Sequence, residues 1–201
     1  TNNQVIGNST ELTPDPYPYW MLKEIYGQHE SIKRVIKQGS RLLNNDQVHL
    51  GGLNQNIDFL KTVDHIILLG CGTSLNAAKF AIDYFKSLCN FVSVSWKDGA
   101  DFTTDDVSHY GTTALILLSQ SGETKDLHRC IEIANNHNLF TIGVVNVVDS
   151  LIAREVECGC YLHAGREVGV ASTKSFTSQC VLLTMIAVWF SQVQEPKVKK
   201  N

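Results

Sequence analysis

Net charge is the first thing this sequence lacks: 17 basic residues stand against 20 acidic ones, a balance of -3 over 201 positions. No field of one sign is available to recruit nucleic acid or an acidic membrane. Proline is scarce, and of the four present Pro14, Pro16 and Pro18 crowd into one stretch. No basic-then-apolar leader opens the chain, and the longest apolar run, V-L-L-T-M-I-A-V-W-F, has about half the length a membrane span requires. These absences predict a soluble, cytoplasmic protein with neither a nucleic-acid nor a membrane partner. The first residue is threonine rather than methionine, so a piece of a longer protein is expected.

Six cysteines are present, yet Cys71, Cys89, Cys130 and Cys180 fall within apolar or helical patterns rather than a small, loop-rich framework, and are read as reduced thiols. Cys158 and Cys160 form a C-x-C pair with no second pair or spaced histidines to complete a tetrahedral set. No metal and no cofactor is expected.

With 43% hydrophobic residues, the chain can bury one full core. Residues 1–19 are read as an extended arm or linker, 20–192 as a single domain with N-terminal packing helices, and 193–201 as a polar tail. Met21, Leu22, Ile25, Ile32, Val35 and Ile36 recur at helical spacing, which predicts one amphipathic helix from Trp20 to about Lys37. A shorter helical stretch follows near Asn54 to Leu60. Apolar runs at Asp64 to Gly70, Phe91 to Trp96, Ala114 to Leu118 and Leu139 to Val145 read as parallel strands buried on both faces. Helices are predicted at Ser74 to Leu88, Thr124 to His137 and Thr173 to Gln192, with a short turn or helix near Gly99 to Phe102. Strands alternating with helices predict an α/β fold, a doubly wound parallel sheet covered on both sides.

In such a sheet ligands bind beyond the carboxyl ends of the strands, where loops enter helix N-termini. Two strands end in polar loops of one character, G-C-G-T-S at Gly70 to Ser74 and S-Q-S-G-E-T at Ser119 to Thr124. Their hydroxyls, one amide and the free N–H groups of the following helices suit an anion without a dedicated lysine. Neither is a P-loop, since no G-K-[ST] follows, nor a dinucleotide fingerprint, since Leu75 stands where a third glycine is required. A phosphate monoester on a small molecule remains. A third segment, G-R-E-V-G-V-A-S-T-K at Gly165 to Lys174, could close the site from the side.

Together these segments resemble the sugar isomerase (SIS) domain, a Rossmann-like three-layer sandwich, and within it the first SIS domain of the isomerase region of glutamine:fructose-6-phosphate amidotransferases. The motifs are M-L-K-E-I-Y-G-Q at Met21 to Gln28, C-G-T-S at Cys71 to Ser74, L-S-Q-S-G-E-T at Leu118 to Thr124, and E-V-G-V-A-S-T-K at Glu167 to Lys174. The resemblance implies that Ser74, Ser119, Gln120, Ser121 and Thr124 bind the phosphate of a hexose 6-phosphate, fructose 6-phosphate or glucose 6-phosphate. It implies that Thr73 touches the sugar and that Val170 and Ala171 line its other side through the backbone. A homodimer is also implied.

Family synthases carry a glutaminase domain before this region and a second SIS domain after it, whose glutamate, histidine and lysine perform the isomerisation. None of those can be placed here, so the chain alone is expected to bind without turnover and its catalytic residues are unknown. Glu123 and Glu167 are the carboxylates nearest the loops, and both read better as caps than as an enolisation base. The alternative reading is a single-SIS, phosphosugar-sensing regulatory module. One departure concerns eukaryotic members, where a segment commonly reading S-R-E-T-D-C-G-V-H-I-N-A-G surrounds the feedback inhibitor UDP-N-acetylglucosamine. Here Ala153, Val156 and Tyr161 replace its serine, threonine and histidine and remove hydrogen-bonding groups.

Overall fold

The structure, a computed structural model, describes residues 12–37, 40–43 and 46–194. The expected arm up to residue 11 and the expected tail from residue 195 lie outside the described residues. In chain order the elements are α1 (Trp20–Tyr26), α2 (Gln28–Lys37), β1 (Leu42–Leu43), β2 (Gln47–Val48), α3 (Gly51–Asn54), α4 (Ile57–Leu60), β3 (His65–Gly70) and α5 (Thr73–Leu88). Then come β4 (Ser93–Asp98), a 3-10 turn (Thr104–Asp106), β5 (Thr113–Ser119), α6 (Lys125–Asn136), β6 (Phe140–Val145), α7 (Leu151–Glu155), β7 (Cys158–Tyr161) and α8 (Lys174–Val193).

Five parallel strands form the central sheet in the order β4-β3-β5-β6-β7, and β1 and β2 form a separate antiparallel pair. The runs without alternation are explained by two cores. Ile66, Leu68, Ile116 and Leu118 face α5 and α8, meeting Ala77, Ala81, Phe85, Leu182, Ile186 and Phe190. Their neighbours Ile67, Leu69, Leu115 and Leu117 face α6, meeting Leu127, Cys130, Ile131 and Ala134. Side chains alternate across a strand, so a strand covered on both sides must be apolar at every position. Each such Leu or Ile contributes about 1.5–3 kcal/mol by burial. By length and composition alone α8 could cross a membrane, but 56% of its apolar window is buried in the domain, as in a core helix.

Three sequence-based expectations are corrected. The single helix over 20–37 is two, α1 and α2, joined at Gly27. Strand β4 begins two residues later than Phe91, because Phe91 turns inward and its ring meets Phe190 at 5.0 Å. As the sheet edge, β4 is largely exposed, with Val94 alone fully buried, rather than covered on both faces. The turn expected near Gly99 to Phe102 is present at 99–101, where Asp101 N donates to Asp98 O at 3.0 Å, and a 3-10 turn follows at Thr104–Asp106, where Thr103 N donates to Asp106 Oδ2 at 3.0 Å. Helix α7 and strand β7 were not anticipated. All six cysteines are free thiols, as expected; burial pushes those of Cys89, Cys130, Cys158 and Cys160 up to about 12.

Candidate functional site at the sheet switch point

Strand β3 leads through α5 to β4 on one side, and β5 leads through α6 to β6 on the other. The two strands are direct neighbours, with Gly70 opposite Leu118, so their exits diverge and leave a crevice at the carboxyl edge. Ligands of open α/β sheets bind at such switch points. Here both exits enter helices of useful length, α5 of 16 residues and α6 of 12, whose unpaired N–H groups and dipoles favour an anion. Two glycines make the first exit possible. A Cβ on Gly70 would lie 2.8 Å from Leu75 N in the first turn of α5, and Gly72, at φ 56°, takes a conformation L side chains rarely adopt.

The hydroxyls are already wired. Ser119 is buried, and its Oγ accepts the Gly122 N–H at 2.9 Å while pairing with Thr124 Oγ1 at 2.9 Å. Ser121 Oγ accepts the Glu123 N–H at 3.1 Å, and Ser74 Oγ lies 2.9 Å from Gln179 Nε2 of α8. A hydroxyl carries one proton and two lone pairs; one that accepts from an N–H still has its proton to give. Ser121 and Ser74 are so placed, and with Ser119 donating to Thr124 the Thr124 proton is left as well. The structure therefore brings Ser119, Ser121 and Thr124 together on one loop and sets Ser74 at the end of the adjacent strand. Gln120 is partly buried beside them, its carbonyl accepting the Asn146 N–H at 3.3 Å, and Thr73 stands exposed as the first residue of α5.

Val170 and Ala171 are exposed, and among the described residues no hydrogen bond joins them to either hydroxyl loop. Their segment is instead fixed from behind. Glu24 of α1, only 2% exposed, accepts the Val168 N–H at 2.6 Å and the Gly169 N–H at 3.1 Å. Arg34 donates to the carbonyls of His163 and Ala164 at 2.9 Å each, and Asn146 Nδ2 donates to Gly165 O at 2.8 Å.

Both carboxylates weighed as bases act as caps. Glu123 Oε1 accepts the Leu151 N–H of α7 at 2.9 Å. Glu167 accepts the Thr173 and Ser175 N–H groups at 2.9 and 3.2 Å at the start of α8. Burial alone would push Glu167 up, but hydrogen bonds from Ser175 and Thr173 hold its carboxyl below the usual range. No group of metal-ligating side chains occurs among the described residues.

Arg34, Asn146 and Gln179 carry no role in the sequence reading, and Glu24 enters it only within the M-L-K-E-I-Y-G-Q motif. A signal existed for Gln179: with Ser175 and Ser178 it places polar groups on the face of α8 that otherwise carries Leu182, Leu183 and Ile186, and buried polar groups are there to bond something.

Two concavities are lined by other residues. One of about 340 Å³ is lined by Phe59, Asn135, Phe140 and Glu157 around the start of β6. The other, of about 140 Å³, gathers Ala153, Val156 and Tyr161 with Gly143 and Val145, so the three departures in the segment 153–165 converge on one space.

The sequence profile of the SIS domain matches residues 59–189. The chain is 48% identical over 178 residues to a mimivirus protein named "Probable glutamine--fructose-6-phosphate aminotransferase [isomerizing]", covering 89% of this chain and 28% of that one. It is 34% identical over 173 residues to glutamine--fructose-6-phosphate aminotransferase [isomerizing] 2 of Homo sapiens, covering 86% and 25%. The solved C-terminal domain of glucosamine-fructose-6-phosphate aminotransferase from Francisella tularensis superposes with a TM-score of 0.80 at 28% identity, over 90% of this chain and 49% of that one. The chain thus spans between 25% and 30% of the length of the curated relatives it matches. Fold, motifs and coverage together make this chain a member of the SIS domain family, closely related to the N-terminal SIS domain of the glutamine–fructose-6-phosphate aminotransferases.

Proposed function

We propose that this chain is the phosphosugar-binding first half of the isomerase region of an amidotransferase that makes glucosamine 6-phosphate from fructose 6-phosphate and glutamine. Alone it holds a hexose 6-phosphate without turning it over. The observation that carries this reading is the meeting of two helix N-termini at the β3–β5 crevice with hydroxyls whose acceptor sides are taken by N–H donors. Ser74 and Ser121 so held have protons to give, as has Thr124 where Ser119 donates to it, and a phosphate has only acceptors facing them. Ser74, Ser119, Gln120, Ser121 and Thr124 form the phosphate site, Thr73 touches the sugar, and Val170 and Ala171 border it through their backbone. The capping work of Glu123 and Glu167 supports binding without turnover, and the catalytic groups belong to a second SIS half, with a glutaminase domain supplying ammonia. Binding of this kind needs no metal or cofactor, and six free thiols fit a reducing, cytoplasmic setting.

Calorimetric titration with fructose 6-phosphate and glucose 6-phosphate tests this. The wild type is expected to bind at least one of them, and Ser121→Asp with Thr124→Ala to weaken binding at least about a hundredfold, since a carboxylate then faces the phosphate and one donor is gone. Equal binding by the variant, or none by the wild type, would reject the assignment.

The chain also pairs with a second copy of itself. Phe80, Tyr84 and Leu88 are 46%, 38% and 43% exposed at four-residue spacing along α5, beside its buried Ala77, Ala81 and Phe85. An antiparallel two-fold through Tyr84 sets Phe80 against Leu88 of the other copy, so the stripe complements itself. Light scattering is expected to give a dimer mass that falls to the monomer in Tyr84→Asp. A monomer mass for the wild type at every concentration would refute the pairing.

A further inference from the structure

Ser74 opens α5, and the group against its hydroxyl comes from far along the chain. Gln179 is 1% exposed on the inward face of α8, and its Nε2 stands 2.9 Å from Ser74 Oγ. An amide N–H can only donate, so the hydroxyl that receives it keeps its proton for another acceptor. We propose that Gln179 is a positioning residue that fixes Ser74 as a donor to the phosphate, tying ligand affinity at the end of β3 to the placement of α8. This rests on the phosphosugar site proposed above. A hydroxyl at a helix start would otherwise turn its proton toward a nearby backbone carbonyl; the buried amide occupies the lone pair and leaves the proton facing the crevice. With Ser119 donating to it, Thr124 is handled as Ser74 is, each keeping its proton at one of the two helix N-termini.

Gln179→Glu separates this role from packing, because the two side chains match in size and differ in the sense of the hydrogen bond. At about pH 8 an ionised carboxylate accepts from Ser74, turns its proton inward, and is expected to weaken fructose 6-phosphate binding about tenfold or more. Burial raises a carboxyl's pKa, so toward about pH 6 the side chain protonates, donates again, and the ratio to wild type recovers. The wild type is titrated in parallel, since a phosphate monoester itself ionises near about pH 6. Glu167, which caps the same end of α8, has its carboxyl held low and stays ionised throughout that window. The same substitution in a Ser74→Ala background is expected to cost little further, whereas simple charge repulsion would persist there. Gln179→Met, neutral and of similar length, serves if the glutamate disturbs folding, and its loss must likewise vanish beside Ser74→Ala.

If the wild type binds and Gln179→Glu binds equally well, the hydroxyl already donates to residue 179 and the inference fails while the site stands. An undiminished effect in the Ser74→Ala background also defeats it. Absence of binding by the wild type defeats the site itself.

Discussion

Alanine at Gly122 is expected to lower stability by about 3 kcal/mol and to abolish phosphosugar binding, through two separable costs. The first is conformational. Gly122 sits at φ 70°, a left-handed conformation that charges an L side chain about 1–2 kcal/mol. The second is steric: a Cβ there would lie 2.0 Å from Ser150 Oγ and 2.4 Å from its Cβ, and overpacking of this kind typically costs about 1–3 kcal/mol. Ser150 is buried, and its hydroxyl has no hydrogen-bond partner among the described residues, so removing it sacrifices little. The double variant Gly122→Ala with Ser150→Gly is therefore expected to recover the steric part and leave the conformational part. For a chain of this length about 3 kcal/mol corresponds to a fall in melting temperature of roughly 10 °C. Binding is lost because residue 122, displaced by the clash, carries its N–H away from Ser119, which that hydrogen bond orients. A single variant melting within about 2 °C of wild type, with sugar affinity intact, would show that this loop is not held as described.

The second large effect belongs to Gly159. On β7 it faces Gly143 of β6, and a Cβ there would lie 2.3 Å from the Gly143 carbonyl oxygen. Backbone is the obstacle, so no rotamer change relieves it. Strand β6 is pinned between β5 and β7, leaving β7 to move, and β7 has α3 behind it: a Cβ on Gly52 would lie 2.3 Å from the Gly159 oxygen. Gly159→Ala must therefore unpair the register from Ile142–Cys158 to Val145–Tyr161 and disturb the buried Cys158 and Cys160. We expect a loss of about 3 kcal/mol or more, read from the urea midpoint at constant slope. Gly51→Ala is the control. Nothing lies within 4 Å of its Cβ position, so the change there is expected to be neutral or slightly stabilising. Equal midpoints for the two variants would contradict the close approach of β6, β7 and α3. Because β7 feeds the segment holding Val170 and Ala171, Gly159→Ala is also expected to loosen that side of the site.

How far the sequence could be read depended on where each stabilising contact lies. Strands β3, β5 and β6 were legible because a strand sealed on both faces is apolar at every position, and α5 and α6 because their buried positions repeat at helical spacing. The hydroxyl loops were legible because a strand exit into a helix start is itself a local feature. Strand β7 was hidden because C-G-C-Y has four residues and a central glycine that lowers strand propensity; its reason for being glycine lies 16 residues back, in Gly143. The shift of β4 was hidden in the same way, since only the rings of Phe85 and Phe190 make Phe91 a packing residue rather than a strand residue.

The sequence by itself determined the doubly wound α/β architecture and the two hydroxyl-rich loops, because local periodicity and helix-start chemistry are written in neighbouring residues. Only the tertiary structure decided what those loops are connected to. Gln179 reaches Ser74 across 105 positions, and Glu24 holds Val168 and Gly169 across 144 and 145. A hydrogen bond acts over a few ångströms of space whatever the separation along the chain, so no local pattern could announce such partners.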